Sequence, residues 1–264
     1  PLREWQAWAC RSVGLPCPVS SALATTRQRC SCGRAVYDLA GHHAVACPSH
    51  SGCFEGVHGD ILAVWQELGV AAGYKGVVKP GALPRPAVGA SDRHADIKFP
   101  LSSSAGLAVV GDVTLTHPFR GKGADSSTWG SYVADRVRAC EGAKNRLYRQ
   151  FHHDQGFLFV PLVGTTHGRL GTDSLVLCWI FAHQAVLALF ASRGWSPATS
   201  ARSFTSSFLQ FRGRFFNRFT VRLSLACCRG AGSRALTRGM PRYDSRDADT
   251  ECDRIPPPRP ASLP

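Results

Sequence analysis

Four residues between positions 30 and 47 have the types and the spacing of a metal site. Cys30 and Cys32 are one residue apart, ten residues then precede His43, and three more precede Cys47. Three soft thiolates and one imidazole are what a four-coordinate structural zinc takes. With every position filled by protein, such a metal holds structure and performs no reaction. Gly33 and Gly41 permit the tight turns of a knuckle. His42 is an alternative to His43, and Cys17 or Cys53 could replace a thiol. The same residues would also serve as buried free cysteines around a satisfied core histidine. Cys227 and Cys228 have no histidine nearby and read as core.

A second group is acidic. Asp96 stands in RHADI, at a short strand, and Asp112 stands in GDVTLTHP, inside the most apolar strand of the chain. If those strands pair as a hairpin, the two carboxylates meet at one end of a sheet. A charge within VVGDVTL is costly unless it is paired or holds a metal. Two converging carboxylates suit Mg²⁺, a hard ion that prefers oxygen ligands, and such a site can direct water at a phosphodiester. The alternative is an aspartate bonded to an arginine or to backbone amides. Lys144 and Tyr148 lie four apart and share a helix face. An ammonium there could orient water and stabilise phosphorane charge, or it could be a solvated surface lysine above a core tyrosine. The triplet Asp96-Ile97-Lys98 offers a rival lysine but leaves Asp112 without a task.

The elements that must position these groups can be read from periodicity. Apolar residues at helical spacing predict a helix from His58 to Ala72, stopped by Gly73. Tyr74 to Val78 reads as a short strand, and residues 79–92 as a loop rich in Pro and Gly. Ala95 to Phe99 is predicted as a strand, 102–106 as a turn, and Leu107 to Thr116 as a buried central strand. A long helix is expected from Thr128 to Phe151, a buried strand from Phe157 to Val163, and an internal helix from Ser174 to Ser192. A further helical stretch runs from Ser200 to Cys227. The fold class expected is α/β, a mixed sheet flanked by helices. Five segments follow: a lead-in over 1–29 anchored by Trp5, Trp8 and Leu15, a zinc knuckle over 30–53, a central domain over 54–195, a basic aromatic helix over 196–228, and a disordered tail over 229–264 rich in Gly, Arg and Pro.

Composition narrows the partners. Among 264 residues, 31 are Lys or Arg and 18 are Asp or Glu, a formal net charge of +13. That surplus favours polyanions, nucleic acid first, although GC-rich coding would also inflate arginine. Residues 202–242 hold nine Arg and no acid, interleaved with Phe204, Phe208, Phe211, Phe215, Phe216 and Phe219. That pattern predicts a helix with one apolar and one basic face, the latter able to follow a phosphate backbone through Arg212, Arg214, Arg218 and Arg222. No run reaches the roughly 18 apolar residues expected of a bilayer span, so no membrane is expected. An odd number of cysteines, 11, in a chain of this length points to a reduced compartment. The chain starts with Pro1, its one methionine is Met240, and it reads as a fragment of a longer frame with no visible signal peptide.

The order of these parts carries a resemblance. A C-x-C-G knuckle ends in GHHAVAC and is followed by a helix carrying His58. RHADI, GDVTLTHPF, AKNRLY and FLFVPLVGTTHGRLG come next. Over roughly residues 28–190 this resembles the C-terminal region of reverse-transcriptase polyproteins of non-LTR retrotransposons that carry a restriction-enzyme-like endonuclease. The resemblance implies a PD-(D/E)XK-type fold behind a zinc knuckle, with the active-site lysine moved onto the following helix. It implies Asp96 and Asp112 as catalytic acids holding Mg²⁺, Lys144 as the moved lysine, Tyr148 as the tyrosine that often follows it, and Cys30, Cys32, His43 and Cys47 as zinc ligands. His58 matches the histidine of an Arg-His-Asn element and, with Arg93, is expected at the nucleic acid. The implied activity is nicking of target DNA in the nucleus so that the freed 3′ hydroxyl primes reverse transcription. Partners would be DNA and, second, the element's RNA, with no small-molecule substrate. Val57 stands where Arg is usual, Gly59 and Asp60 follow His58 where Asn is expected, and Lys79-Pro80 stands where Glu-Pro is frequent. Copying of RNA is not expected, because paired reverse-transcriptase aspartates are absent. A non-enzymatic nucleic-acid-binding module is the competing reading, and a zinc domain for protein contacts a weaker third.

Overall fold

A computed structural model describes residues 29–30, 32, 38, 41–47, 52–74, 95–100, 108–120, 131–132, 136–194 and 201–237. Its elements in chain order are α1 (His42–Ala46), α2 (Gly52–Ala71), β1 (Ile97–Pro100), β2 (Ala108–Thr116), β3 (Phe119–Arg120), β4 (Ser131–Tyr132), α3 (Arg136–Asp154), β5 (Phe157–Thr165), α4 (Thr172–Ser192) and α5 (Ala201–Thr237).

The three main strands lie in the order β1-β2-β5. The first pair is antiparallel, with Ile97 opposite Gly111, and the second is parallel, from Ala108 opposite Phe157 to Thr116 opposite Thr165. A parallel pair needs a crossover, and α3 lies in that connection. The sheet is therefore mixed and flanked by helices, with β2 in its centre. The expected strands from Ala95 and from Leu107 form within about two residues of their limits, and the strand from Phe157 extends two residues further, to Thr165.

Alternation along β2 sorts its side chains between two layers. Ile97, Phe99, Val109, Val113 and Leu162 face a core shared with Ile61, Trp65 and Leu68 of α2, with Leu177, Phe181 and Ala182 of α4, and with Phe219, Leu223 and Cys227 of α5. Val110 and Phe159 face the other way, against Tyr148 of α3. The helix predicted from His58 forms as α2, burying Ile61, Trp65 and Leu68 of the expected apolar set while Val70 is exposed. Gly73 stops it at φ +86, with Gly73 N–H bonded to Val70 O and Tyr74 N–H to Gly69 O. The helix begins six residues earlier than expected, at Gly52.

Three expectations are corrected. The helix predicted from Thr128 starts at Arg136; ahead of it Ser131–Tyr132 pairs antiparallel with Phe119–Arg120, as the aromatic and β-branched residues around position 132 favour. The basic helix expected to end near Cys227 continues to Thr237, so the helical stretch passes the boundary set at 229. It also contributes Phe219, Leu223 and Cys227 to the main core, and so is built into the domain rather than appended to it. Finally, α4 is long and apolar enough to cross a membrane by length and composition, against the expectation that no such run exists. Its Leu177, Cys178, Phe181, Ala182, Ala185, Val186 and Phe190 are buried in the domain, while Leu175, Val176, Trp179, Ile180 and Leu187 are exposed. The lead-in over 1–28, the strand expected after Tyr74, the loop 79–92, the turn 102–106 and the tail beyond Thr237 lie outside the described residues.

Candidate functional site

The Cys/His cluster forms around a capped turn. Asp38 accepts backbone N–H bonds from His42 (2.9 Å) and His43 (2.8 Å), and Gly41 takes the left-handed conformation at φ +72 that starts α1. Cys47 N–H closes the turn onto His43 O at 2.9 Å, which sets His43 and Cys47 one turn apart. The four ligand atoms of Cys30, Cys32, His43 and Cys47 all lie within 4.8 Å of one another. Cys30 Sγ is 3.7 Å from Cys47 Sγ, and Cys32 Sγ is 3.4 Å from His43 Nε2. Zinc bond lengths of about 2.3 Å to sulfur and about 2.0–2.1 Å to nitrogen give tetrahedral edges of about 3.5–3.8 Å. Cys30, Cys32 and Cys47 form no disulfide, and the four residues could hold zinc. The rival histidine is assigned elsewhere: His42 Nδ1 lies 3.2 Å from His117 Nε2, whose Nδ1 lies 2.7 Å from Thr166 Oγ1. That chain fastens the knuckle to the far ends of β2 and β5. Val45 adds a contact with Ala231 of α5. The alternatives Cys17 and the Cys53 side chain lie outside the described residues, as does Gly33.

The acidic site is built by the β1–β2 register. Asp96 N–H donates to Gly111 O at 2.7 Å, extending the ladder by one residue and setting Asp96 beside Asp112 on one face. Asp96 Oδ2 accepts from Val113 N–H at 2.6 Å and pairs with His58 Nε2 at 2.9 Å. From the opposite side α3 delivers Lys144, whose ammonium pairs with Asp112 Oδ2. Asp112 is 8% exposed, and its Oδ2 accepts no aligned hydrogen bond beyond that ion pair. The Tyr148 ring lies 5.5 Å from Lys144 Nζ and packs on Phe159.

These contacts shift the acids and the histidine. Burial, then the charge of Asp96, raises Asp112 from its ordinary 3.8 to about 6, against the pull of Lys144. The hydrogen bond to Asp96 raises His58 above its ordinary 6.5, with burial opposing and the charges of Asp96 and Asp112 adding. Two crowded carboxylates, one with a buried and poorly bonded oxygen, are a donor set suited to a hard divalent cation.

The residues read from sequence therefore separate. Asp96, Asp112 and Lys144 come together, and His58 joins them as the partner of Asp96. Tyr148 is buried in the cluster of Ala95, Val110 and Phe159 and supports Lys144 from below. Arg212 stacks on Trp179 at 4.1 Å, Arg222 pairs with Glu67, Arg214 lies 5.8 Å from the Phe211 ring, and Arg218 is exposed. Arg93 and Lys79 lie outside the described residues. Sequence reasoning missed Glu141, although it falls on the inward spacing of Val137, Tyr148 and His152 along α3. No protein-family model, curated protein or solved structure matches the chain.

Two outcomes follow. The purified chain carries one equivalent of zinc by elemental analysis, and Cys47→Ala loses it together with the thermal midpoint of the parent. A zinc-free chain indifferent to chelator would contradict the assignment. Asp112 binds its proton more tightly folded than unfolded, so its contribution to stability is present below about pH 4 and lost as pH rises through about 6. Asp112→Asn is therefore expected to raise the thermal midpoint at pH 8, in zinc-loaded protein without magnesium, with the gain vanishing below about pH 4. An Asn variant less stable than the parent at pH 8 would refute this.

Proposed function

We propose that the chain is a metal-dependent DNA endonuclease of the restriction-enzyme-like class, from the C-terminal part of a non-LTR retrotransposon polyprotein. The carrying observation is the convergence of Asp96, Asp112 and Lys144, from two paired strands and a crossover helix, behind a zinc-competent knuckle. Asp96 and Asp112 would hold Mg²⁺, which when bound neutralises charge at the scissile phosphate and lowers the pKa of water.

The chain's own residues do the rest. His58 and the Val113 N–H fix the Asp96 carboxylate in one orientation. Lys144 presents ammonium N–H donors where the attacking water and the non-bridging phosphate oxygens would lie. It offsets the negative charge that grows as phosphorus becomes five-coordinate. Water adds to phosphorus in line with the leaving oxygen, the P–O3′ bond breaks, and the 3′ oxygen leaves with a proton as a hydroxyl able to prime DNA synthesis. The surplus of arginine, including exposed Arg214 and Arg218, supplies phosphate contacts that weaken with salt. Such a role belongs in the nucleus.

Zinc-loaded chain is expected to nick supercoiled plasmid only when Mg²⁺ is added. Asp112→Ala and Lys144→Ala should each slow nicking by about 100-fold or more while retaining DNA in a mobility-shift assay. A parent that binds plasmid without nicking it would leave a nucleic-acid-binding module as the function.

A further inference from the structure

Lys144 can serve the site only if α3 is held in one rotation against the sheet. The side chain that holds it is not in the site. Glu141 sits one turn before Lys144, on the same helix face, and is 7% exposed. Its Oε1 accepts the backbone N–H of Asp173 at 3.1 Å, and the N–H of Thr172 is also directed at its carboxylate. These are the first N–H groups of α4, which lack a partner in their own helix. The N-cap of α4 is Gly171, which provides no side-chain cap. A Cβ at that glycine would lie 2.1 Å from Glu141 Oε1. The carboxylate of α3 therefore fills the place where an N-cap side chain of α4 would stand.

The clamp has a second point. Asn145, next to Lys144, donates its Nδ2 to Asp173 Oδ2 at 3.3 Å. The start of α4 is in turn fixed to the sheet: Gly171 N–H and Ser174 Oγ–H both donate to Val163 O, at 2.8 and 3.2 Å. Val163 lies on β5, paired with Thr114, two residues beyond Asp112 on β2. A closed loop of contacts thus runs from Asp112 along the sheet to α4, through Glu141 and Asn145 to α3, and back through Lys144.

We propose that Glu141 is a positioning residue. By capping α4 in trans it sets the rotation of α3 and so places the Lys144 ammonium on Asp112. Its importance to reaction rate rests on the nuclease reading, whereas the placement of Lys144 does not.

The test separates the two. The chain has five lysines, Lys75, Lys79, Lys98, Lys122 and Lys144, so the side-chain ammonium signals of lysine-labelled protein can be assigned with one Lys144→Arg variant. In the zinc-loaded full chain the Lys144 signal is expected to be protected from exchange and to lose protection in Asp112→Asn. Glu141→Ala should lose the same signal and lower the nicking kcat at least about tenfold, with DNA affinity unchanged. Glu141→Gln keeps a carbonyl acceptor and should preserve both the signal and most of kcat. Should Glu141→Ala fail to fold, Asn145→Ala removes only the second point and should weaken the signal in part. A folded Glu141→Ala whose Lys144 signal matches the parent overturns the proposal, as does a Gln variant with as little protection as the Ala variant. Loss of the signal in Glu141→Ala, beside a parent that shows it but never nicks, would uphold the placement and remove the nuclease reading alone.

Discussion

A single buried carboxylate sets the terms for this fold. Asp112 lies in the central strand, between Gly111 and Val113, at 8% exposure. An unpaired charge there costs several kcal/mol. Three separate elements converge to make it tolerable or useful. The β1 register sets Asp96 alongside it, α2 brings His58 to hold Asp96, and α3 brings Lys144 as counter-charge. The compensation is incomplete, since Asp112 remains raised to about 6. Burial and the neighbouring Asp96 outweigh the attraction of Lys144 at this position.

The surrounding layers make that convergence rigid. One face of the sheet is sealed by α2, α4 and α5 around Trp65, Phe99 and Phe181. The other is covered by α3. The knuckle adds a third attachment, because His42 reaches His117 and Thr166 at the ends of the strands while Val45 meets α5. Helix α5 thus joins knuckle and core. Its inner residues pack; Arg212 stacks on Trp179, Arg222 pairs with Glu67 at the surface, and Arg214, Arg218 and Arg229 are exposed.

Most of the local elements were legible because their signals are strong. The run from Leu107 to Thr116 is apolar and β-branched, and the spacing from His58 to Ala72 has a helical period, so β2 and most of α2 could be read directly. The cysteine and histidine spacing was legible for the same reason, since metal geometry leaves few alternatives. The hairpin that joins Asp96 to Asp112 followed from strand order and separation. What sequence did not carry is what depends on three dimensions. Nothing local distinguishes His43 from His42 as a ligand; the contact with His117, 75 residues away, does so. The start of α3 falls at Arg136 rather than Thr128, and Gly130, a poor helix former, stands between the two. Glu141 escaped notice because an acid on a charged helix reads as solvated, and only the arrival of Gly171 beside it reveals a cap.

The central claim is that Asp96 and Asp112 form one cation site. The most direct measurement is the thermal midpoint of zinc-loaded chain with and without millimolar Mg²⁺, compared with the Asp96→Asn and Asp112→Asn variants. A ligand that binds only the folded state raises its stability. The account predicts an upward shift with magnesium in the parent and none in either variant. Equal shifts in all three, or none in the parent, would contradict it.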